Sequence, residues 1–294
     1  MANTITKIQS YLTRMLDEIY KKNAISSVLD NENTRAIEGV TSQVLIPKMS
    51  FSGGLSDYSK DNGATGRTMT LGFETFNLTK DRGAQLTLDA VENIDSAGIL
   101  LAQMESEFIR TKVAPETDAY RFGVYHGKAA TKVTGTLTAT DTEDALLTAI
   151  AALEDKEVPV ENLILFMNPQ IYKILKEEVQ TRRLVEGTTV QNNIATYDGI
   201  PVYRVPTSRF NTTVTLGTDG FTASGQNINF LLLDRRAPMQ VIRHQSNRLF
   251  SPEENQKTDG WLWRFRYFHD ATVPENKCDG VYSHAVAQET DRGA

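Results

Sequence analysis

Only one cysteine, Cys278, stands in the 294 residues. A single thiol leaves no internal disulfide and no multi-cysteine zinc site, and it fits synthesis in a reducing compartment. Histidine is nearly as scarce: His126, His244, His269 and His284 are the four, and none falls in a His-Glu-x-x-His pattern or pairs with Cys278 at a recognised spacing. No Gly-x-Ser-x-Gly elbow places a nucleophile. No apolar run approaches the ~18 residues that a bilayer-spanning helix needs, so no membrane partner is expected. The start, Met1-Ala2-Asn3-Thr4, leads into a polar amphipathic stretch rather than a basic and then an apolar region, which does not read as a signal peptide. A basic excess is missing too. Thirty-one Lys and Arg face 37 Asp and Glu, for a formal charge of -6. That balance argues against a protein that grips nucleic acid through its phosphates. The expectation is no catalytic, metal or cofactor site, and a chain that is not an enzyme.

One near miss needs weighing. Asp61-Asn62-Gly63-Ala64-Thr65-Gly66-Arg67-Thr68 resembles a phosphate-binding loop, but Asp61 replaces its first glycine and Arg67 its lysine. A carboxylate would face phosphate, and no helix pattern follows to lend its N-terminal dipole. A loop tip is the reading taken.

What is present is an ordinary globular share of hydrophobic residues, 40%, in an unusual order. Residues 3–22 read as an amphipathic helix, with Ile5, Ile8, Leu12, Met15, Leu16 and Ile19 at three- and four-residue spacing. Such a stripe needs a partner surface. Val44 to Pro47 reads as a short strand, and residues 48–70 form a long excursion rich in glycine, serine and charge. It holds Gly53, Gly54, Asp57, Lys60 and Arg67, and alternating Met69, Leu71 and Phe73 bound it. A structureless loop of that length is uncommon inside a compact domain, so a hairpin reaching over something else is expected.

Asp95 or Ser96 starts a strong helix through Ile99, Leu100, Met104, Phe108 and Ile109, expected to stop before Pro115, where a second helix begins. Lys132 to Thr138 reads as a connection. A small mixed α/β unit follows: a helix with Leu146, Ile150 and Leu153, a buried strand at Leu163–Met167, a helix from Pro169, and a strand at Pro201–Val205. The last third is mostly strand. Trp261, Trp263, Phe265 and Tyr267 share one face there, while Leu262, Arg264, Arg266 and Phe268 share the other. Two arginines on one exposed face call for partners, and a neighbouring subunit is the expectation.

In this order the chain resembles the major capsid proteins of tailed bacteriophages, the Johnson fold. The local matches are Val113 to Arg121 after the spine helix, Asp198 to Pro206, and Asp259-Gly260-Trp261 running on to Asp270-Ala271-Thr272-Val273. The resemblance covers nearly the whole chain. It implies an α+β fold with an N-terminal arm (1–45), an extended β-hairpin loop (46–90), a peripheral domain with the spine helix (91–138), an axial domain (139–234), and peripheral return strands with a C-terminal tail (235–294). It also implies a structural protein of the virion, made in the host cytoplasm, whose pentamers and hexamers close into an icosahedral shell with a scaffolding protein and a portal. Double-stranded DNA would be enclosed without sequence-specific binding, and mild like-charge repulsion would keep the wall from trapping it. Inter-subunit contacts are expected at Ile5, Ile8, Leu12, Leu16 and Ile19 of the arm, at Gly53, Gly54, Asp57, Lys60 and Arg67 of the loop, and at Arg264 and Arg266. Because the chain begins almost at the arm, a separate scaffold is expected rather than a cleaved leading segment. Lys60 has no matched crosslinking partner, so that chemistry is not carried over. An encapsulin-type nanocompartment shell is the alternative of the same fold; a metal-independent hydrolase is the alternative of another class.

Overall fold

A computed structural model describes residues 24–30, 43–58, 60–61, 64–91, 105–185 (backbone alone at 179–185) and 195–287. The arm helix expected over 3–22, the start of the spine helix and the loop at 188–193 lie outside the described residues.

The fold is α+β, built on two sheets and a ribbon. The larger sheet has seven strands. Its order is β4 (Thr131–Thr134), β12 (Val281–Ala285), β9 (Gly220–Asp234), β5 (Leu163–Met167), β7 (Ile200–Arg204) and β6 (Thr196–Tyr197), with β8 (Asn211–Gly217) paired to β9. Strand β5 reads Leu-Ile-Leu-Phe-Met and is buried at every position, because helices cover both faces. Alternation then divides the core. Ile164 and Phe166 of β5 join Ile228, Leu231 and Leu233 of β9 beneath Phe122 and Tyr125 of helix α1 (Ala114–Lys128). Leu163, Leu165 and Met167 join Phe230 and Leu232 on the other face. There they meet Leu146, Ile150 and Leu153 of α2 (Ala139–Glu154) and Ile171 and Leu175 of α3 (Pro169–Val185).

The smaller sheet has the order β10 (Met239–Phe250), β11 (Gly260–Thr272), β3 (Lys80–Asp89), all antiparallel. Trp263, Phe265 and Tyr267 of β11 point to one face and pack on Phe108, Ile109 and Val113 of the helical run before α1. Gly260 sits against Leu88, where a Cβ would come within 2.4 Å of that carbonyl oxygen, so β11 and β3 close only over a glycine. The ribbon consists of β1 (Gln43–Phe51) and β2 (Met69–Asn77), paired from Gln43↔Asn77 to Phe51↔Met69.

Three expectations change. The helix does not stop before Pro115: helix runs from residue 105 to Lys128, with a π-turn at Ile109–Val113. The Ala114 amide donates five residues back to Ile109. That widened turn admits Pro115, which offers no N–H and whose ring would collide with a carbonyl four residues back in a regular helix. Residues 131–134 form edge strand β4 rather than part of a connection. Strands β4 and β12 lie in the large sheet with β5 and β9, so sheet membership does not divide at 138/139 and 234/235 as the expected domain limits did. The β8–β9 hairpin and β12 were not anticipated. The turn end of the former, residues 211–226, carries threonines without an apolar run, although Ile228 to Leu233 of β9 reads as a strand; the latter is short and follows a turn.

Candidate functional site

Most of the large hydrophobic side chains left exposed among the described residues stand on the ribbon and its tip. Odd-numbered positions share a face, and the register stacks them across the two strands: Pro47 against Phe73, Met49 against Leu71, Phe51 against Met69. Phe51 is 68% exposed, Phe73 62%, Met69 57% and Leu71 54%. At the tip, Leu55 and Tyr58 are open as well. A contiguous row of exposed aromatic and long aliphatic side chains makes this face a candidate contact surface.

The opposite face explains why the ribbon stands where it does. Val44 and Leu78 are buried with Val241 of β10, and Ile46, Phe76, Met239 and Phe268 pack around them. Lys48 Nζ donates to Glu275 Oε2 at 2.6 Å, and the Glu275 amide donates to Glu74 Oε2 at 3.1 Å. That hydrogen bond raises the Lys48 ammonium above its ordinary value and lowers the Glu275 carboxyl. One face is tied down and the other is left bare.

The tip is closed by backbone rather than by packing. The Ser52 amide donates to Thr68 O, the Thr68 amide returns to Ser52 Oγ, both at 2.8 Å, and the Thr65 amide reaches Ser56 Oγ. Gly53 has φ +73, and Arg67 Nη1 lies 2.9 Å from where its Cβ would be. The left-handed backbone favours glycine there, and the Arg67 guanidinium lies over the open spot. Gly54 faces open space, and Asp57 and Lys60 are exposed. Met69 opens a strand, so the phosphate-loop likeness lacks its helix, as the sequence suggested.

Of the two arginines on β11, Arg266 finds a partner in the chain. Its Nε and Nη2 donate to Asp81 at 3.0 and 2.6 Å, which holds the Asp81 carboxyl below its ordinary range. Arg264 lies over the Phe250 ring at 5.3 Å. The arm residues Ile5, Ile8, Leu12, Leu16 and Ile19 lie outside the described residues.

Residues that sequence reasoning missed tie the segment at 24–30 to the body. Asp118 is fully buried on α1 and accepts from the amides of Ile25 and Ser26 (2.9 Å each), from Ser26 Oγ (2.7 Å) and from Arg209 Nη1 (3.0 Å). Gln240 Nε2 donates to Ser26 O and to the Tyr125 hydroxyl. At the junction of the two sheets, Arg82 forks onto Glu116 and also donates to Gly217 O in the β8–β9 turn. An isolated Asp in a helix pattern carries no sign of burial; its partners are distant in the chain.

Three of the four histidines are held by contacts within the fold. His126 Nδ1 lies 2.8 Å from Ser283 Oγ, yet that hydroxyl is fully buried inside β12. Burial and Lys132 push His126 down. His284 Nδ1 pairs with Asn229, and its ring stacks on Phe230. His269 stacks on Tyr267 at 4.2 Å, and burial pushes its pKa down to about 4. Cys278 Sγ donates to the carbonyls of Val273 and Pro274, and burial raises it. No group of three metal-ligating side chains converges among the described residues.

A spine helix under a three-stranded sheet, an α/β unit with helices on both faces and a projecting ribbon together define a fold seen in phage capsids. The chain superposes on the capsid structure of the cyanophage P-SCSP1u with a TM-score of 0.76 at 14% identity, covering 96% of this chain and 93% of that one. A structure from Mycobacterium phage Che8 gives 0.66 at 16% identity over 97% and 98%. The mature capsid of bacteriophage PhiM1 gives 0.63 at 9% over 98% and 93%. At these identities the likeness is one of fold. No family model and no curated protein matches the sequence.

Proposed function

We propose that this chain is the major capsid protein of a tailed phage, a shell subunit rather than an enzyme. The observation that carries this reading is the joining of a capsid fold over nearly the full length to a ribbon whose outer apolar face has no cover within the described chain. A monomer would keep Phe51, Met69, Leu71 and Phe73 in water; a closed shell buries them between copies and leaves no open edge. The loop residues Gly53, Gly54, Asp57, Lys60 and Arg67 and the arm residues Ile5 to Ile19 are assigned to the same contacts between copies. Pentamers and hexamers, a separate scaffolding protein, a portal, enclosed double-stranded DNA and a place in the virion belong to this reading. The charge of -6 supports confinement of DNA without phosphate-based binding.

Electron microscopy of the purified full chain, alone and with a candidate scaffolding protein, tests the proposal. Rings or closed shells are expected. Compact monomers under every condition would contradict it.

A further inference from the structure

The face of the small sheet turned away from the spine helix, where Arg264 and Arg266 were expected to meet another copy, carries a second feature. Arg248 of β10 and Arg264 of β11 stand directly opposite each other in the register, and both are exposed. Like charges opposed across two strands repel, and Cβ atoms in such pairs sit only ~5 Å apart. No carboxylate among the described residues pairs with either one, whereas Arg266, one step along the same face, has Asp81. The two guanidiniums border an open trough of about 620 Å³ that also takes in His244, Ser246, Gln85 and Phe250.

We propose that this trough is a docking surface for an acidic segment of a partner protein, with its carboxylates between Arg248 and Arg264. Three features select that occupant. The Arg266–Asp81 fork already shows, on this face, the carboxylate geometry that a guanidinium takes here. Phe250 lies under Arg264 and gives the trough an apolar wall for a side-chain stem. A nucleic-acid backbone fits the face less well, because Arg248 and Arg264 form a single cross-strand pair rather than a long basic stripe. A backbone track needs a continuous basic groove along several nucleotides. The ribbon tip of a second copy is a poor acid source, since Asp57 and Asp61 are balanced there by Lys60 and Arg67.

The test titrates the full-length protein into fluorescein-labelled octaglutamate at low salt and, in parallel, into a labelled oligothymidylate. Anisotropy is compared for the native chain, for Arg248→Gln/Arg264→Gln, and for Lys173→Gln on α3 as a remote charge control. Octaglutamate affinity is expected to fall at least about tenfold in the paired variant and to hold in the control. Equal peptide binding by both variants overturns the proposal, as does tighter binding of the oligothymidylate through the same two arginines. Circular dichroism verifies that the paired variant is folded. Loss of shells or oligomers by that variant with no partner present assigns the face to contacts between copies, and the proposal then fails.

Discussion

Strand β5 and the β1–β2 ribbon are both rich in large apolar side chains, and they meet opposite fates. In β5 every residue from Leu163 to Met167 is buried, because α1 covers one face of the sheet and α2 and α3 the other. In the ribbon the inward face packs on Val241, and the outward face, from Phe51 to Phe73, stays more than half exposed among the described residues. The difference teaches that apolar character fixes the need for burial but not the chain that supplies it. One region completes its core among the described residues; the other leaves an apolar face open there.

The sharpest way to break that contrast is to damage each region in turn. Phe166→Ala empties a fully buried ring site that contacts Phe122 and Tyr203, and it should cost about 3–5 kcal/mol in a denaturant titration. Asp118→Ala should cost a similar ~3–5 kcal/mol, because buried Arg209 loses this carboxylate and the amides of Ile25 and Ser26 lose their acceptor. Asp118→Asn should recover part of that loss, since its carbonyl oxygen still accepts.

Acid should weaken the body next. His269 has a folded pKa of about 4 against an ordinary 6.5, so the unfolded chain binds the proton more readily. Its contribution is fully present above pH 6.5 and is lost as the pH falls from there toward 4, by on the order of 3 kcal/mol. His126 and His284 are shifted in the same direction and steepen the same limb. Chemical denaturation at stepped pH should show this slope, and His269→Gln should flatten it.

The ribbon should respond in the opposite way. Phe73→Ala is expected to change monomer stability by less than about 0.5 kcal/mol, because its ring is already in water. Its effect should appear instead in the critical concentration for assembly. The smallest change is expected from Lys48→Gln. The Lys48–Glu275 pair is open to solvent, so the melting temperature should hold while amide exchange at the ribbon base quickens.

Legibility in the sequence followed the same division. Alternation exposed the aromatic face of β11, and the continuous run at Leu163–Met167 marked a strand covered on both sides; both were readable because packing on the sheet repeats every two residues. The glycine- and serine-rich stretch pointed to the projecting ribbon, although β1 and β2 carry regular pairing much further toward the tip than the composition suggested. Pro115 misled, since a lone proline reads as a helix stop and the π-turn that absorbs it leaves no mark in the sequence. The clamp of Asp118 on Ile25 and Ser26 was invisible for another reason: its partners lie more than ninety positions away. The bare face of Leu71 and Phe73 was readable as an apolar alternation, but its exposure could be known only from the fold, where the described residues leave it open.

Sedimentation velocity on the native chain beside Leu71→Asp/Phe73→Asp, under assembly conditions, tests the central claim most directly. The native chain should sediment as closed shells, while the variant, with an unchanged circular-dichroism spectrum and melting temperature, should remain as small subunits. Shells of equal yield from both chains would contradict the assignment of the ribbon face to contacts between copies.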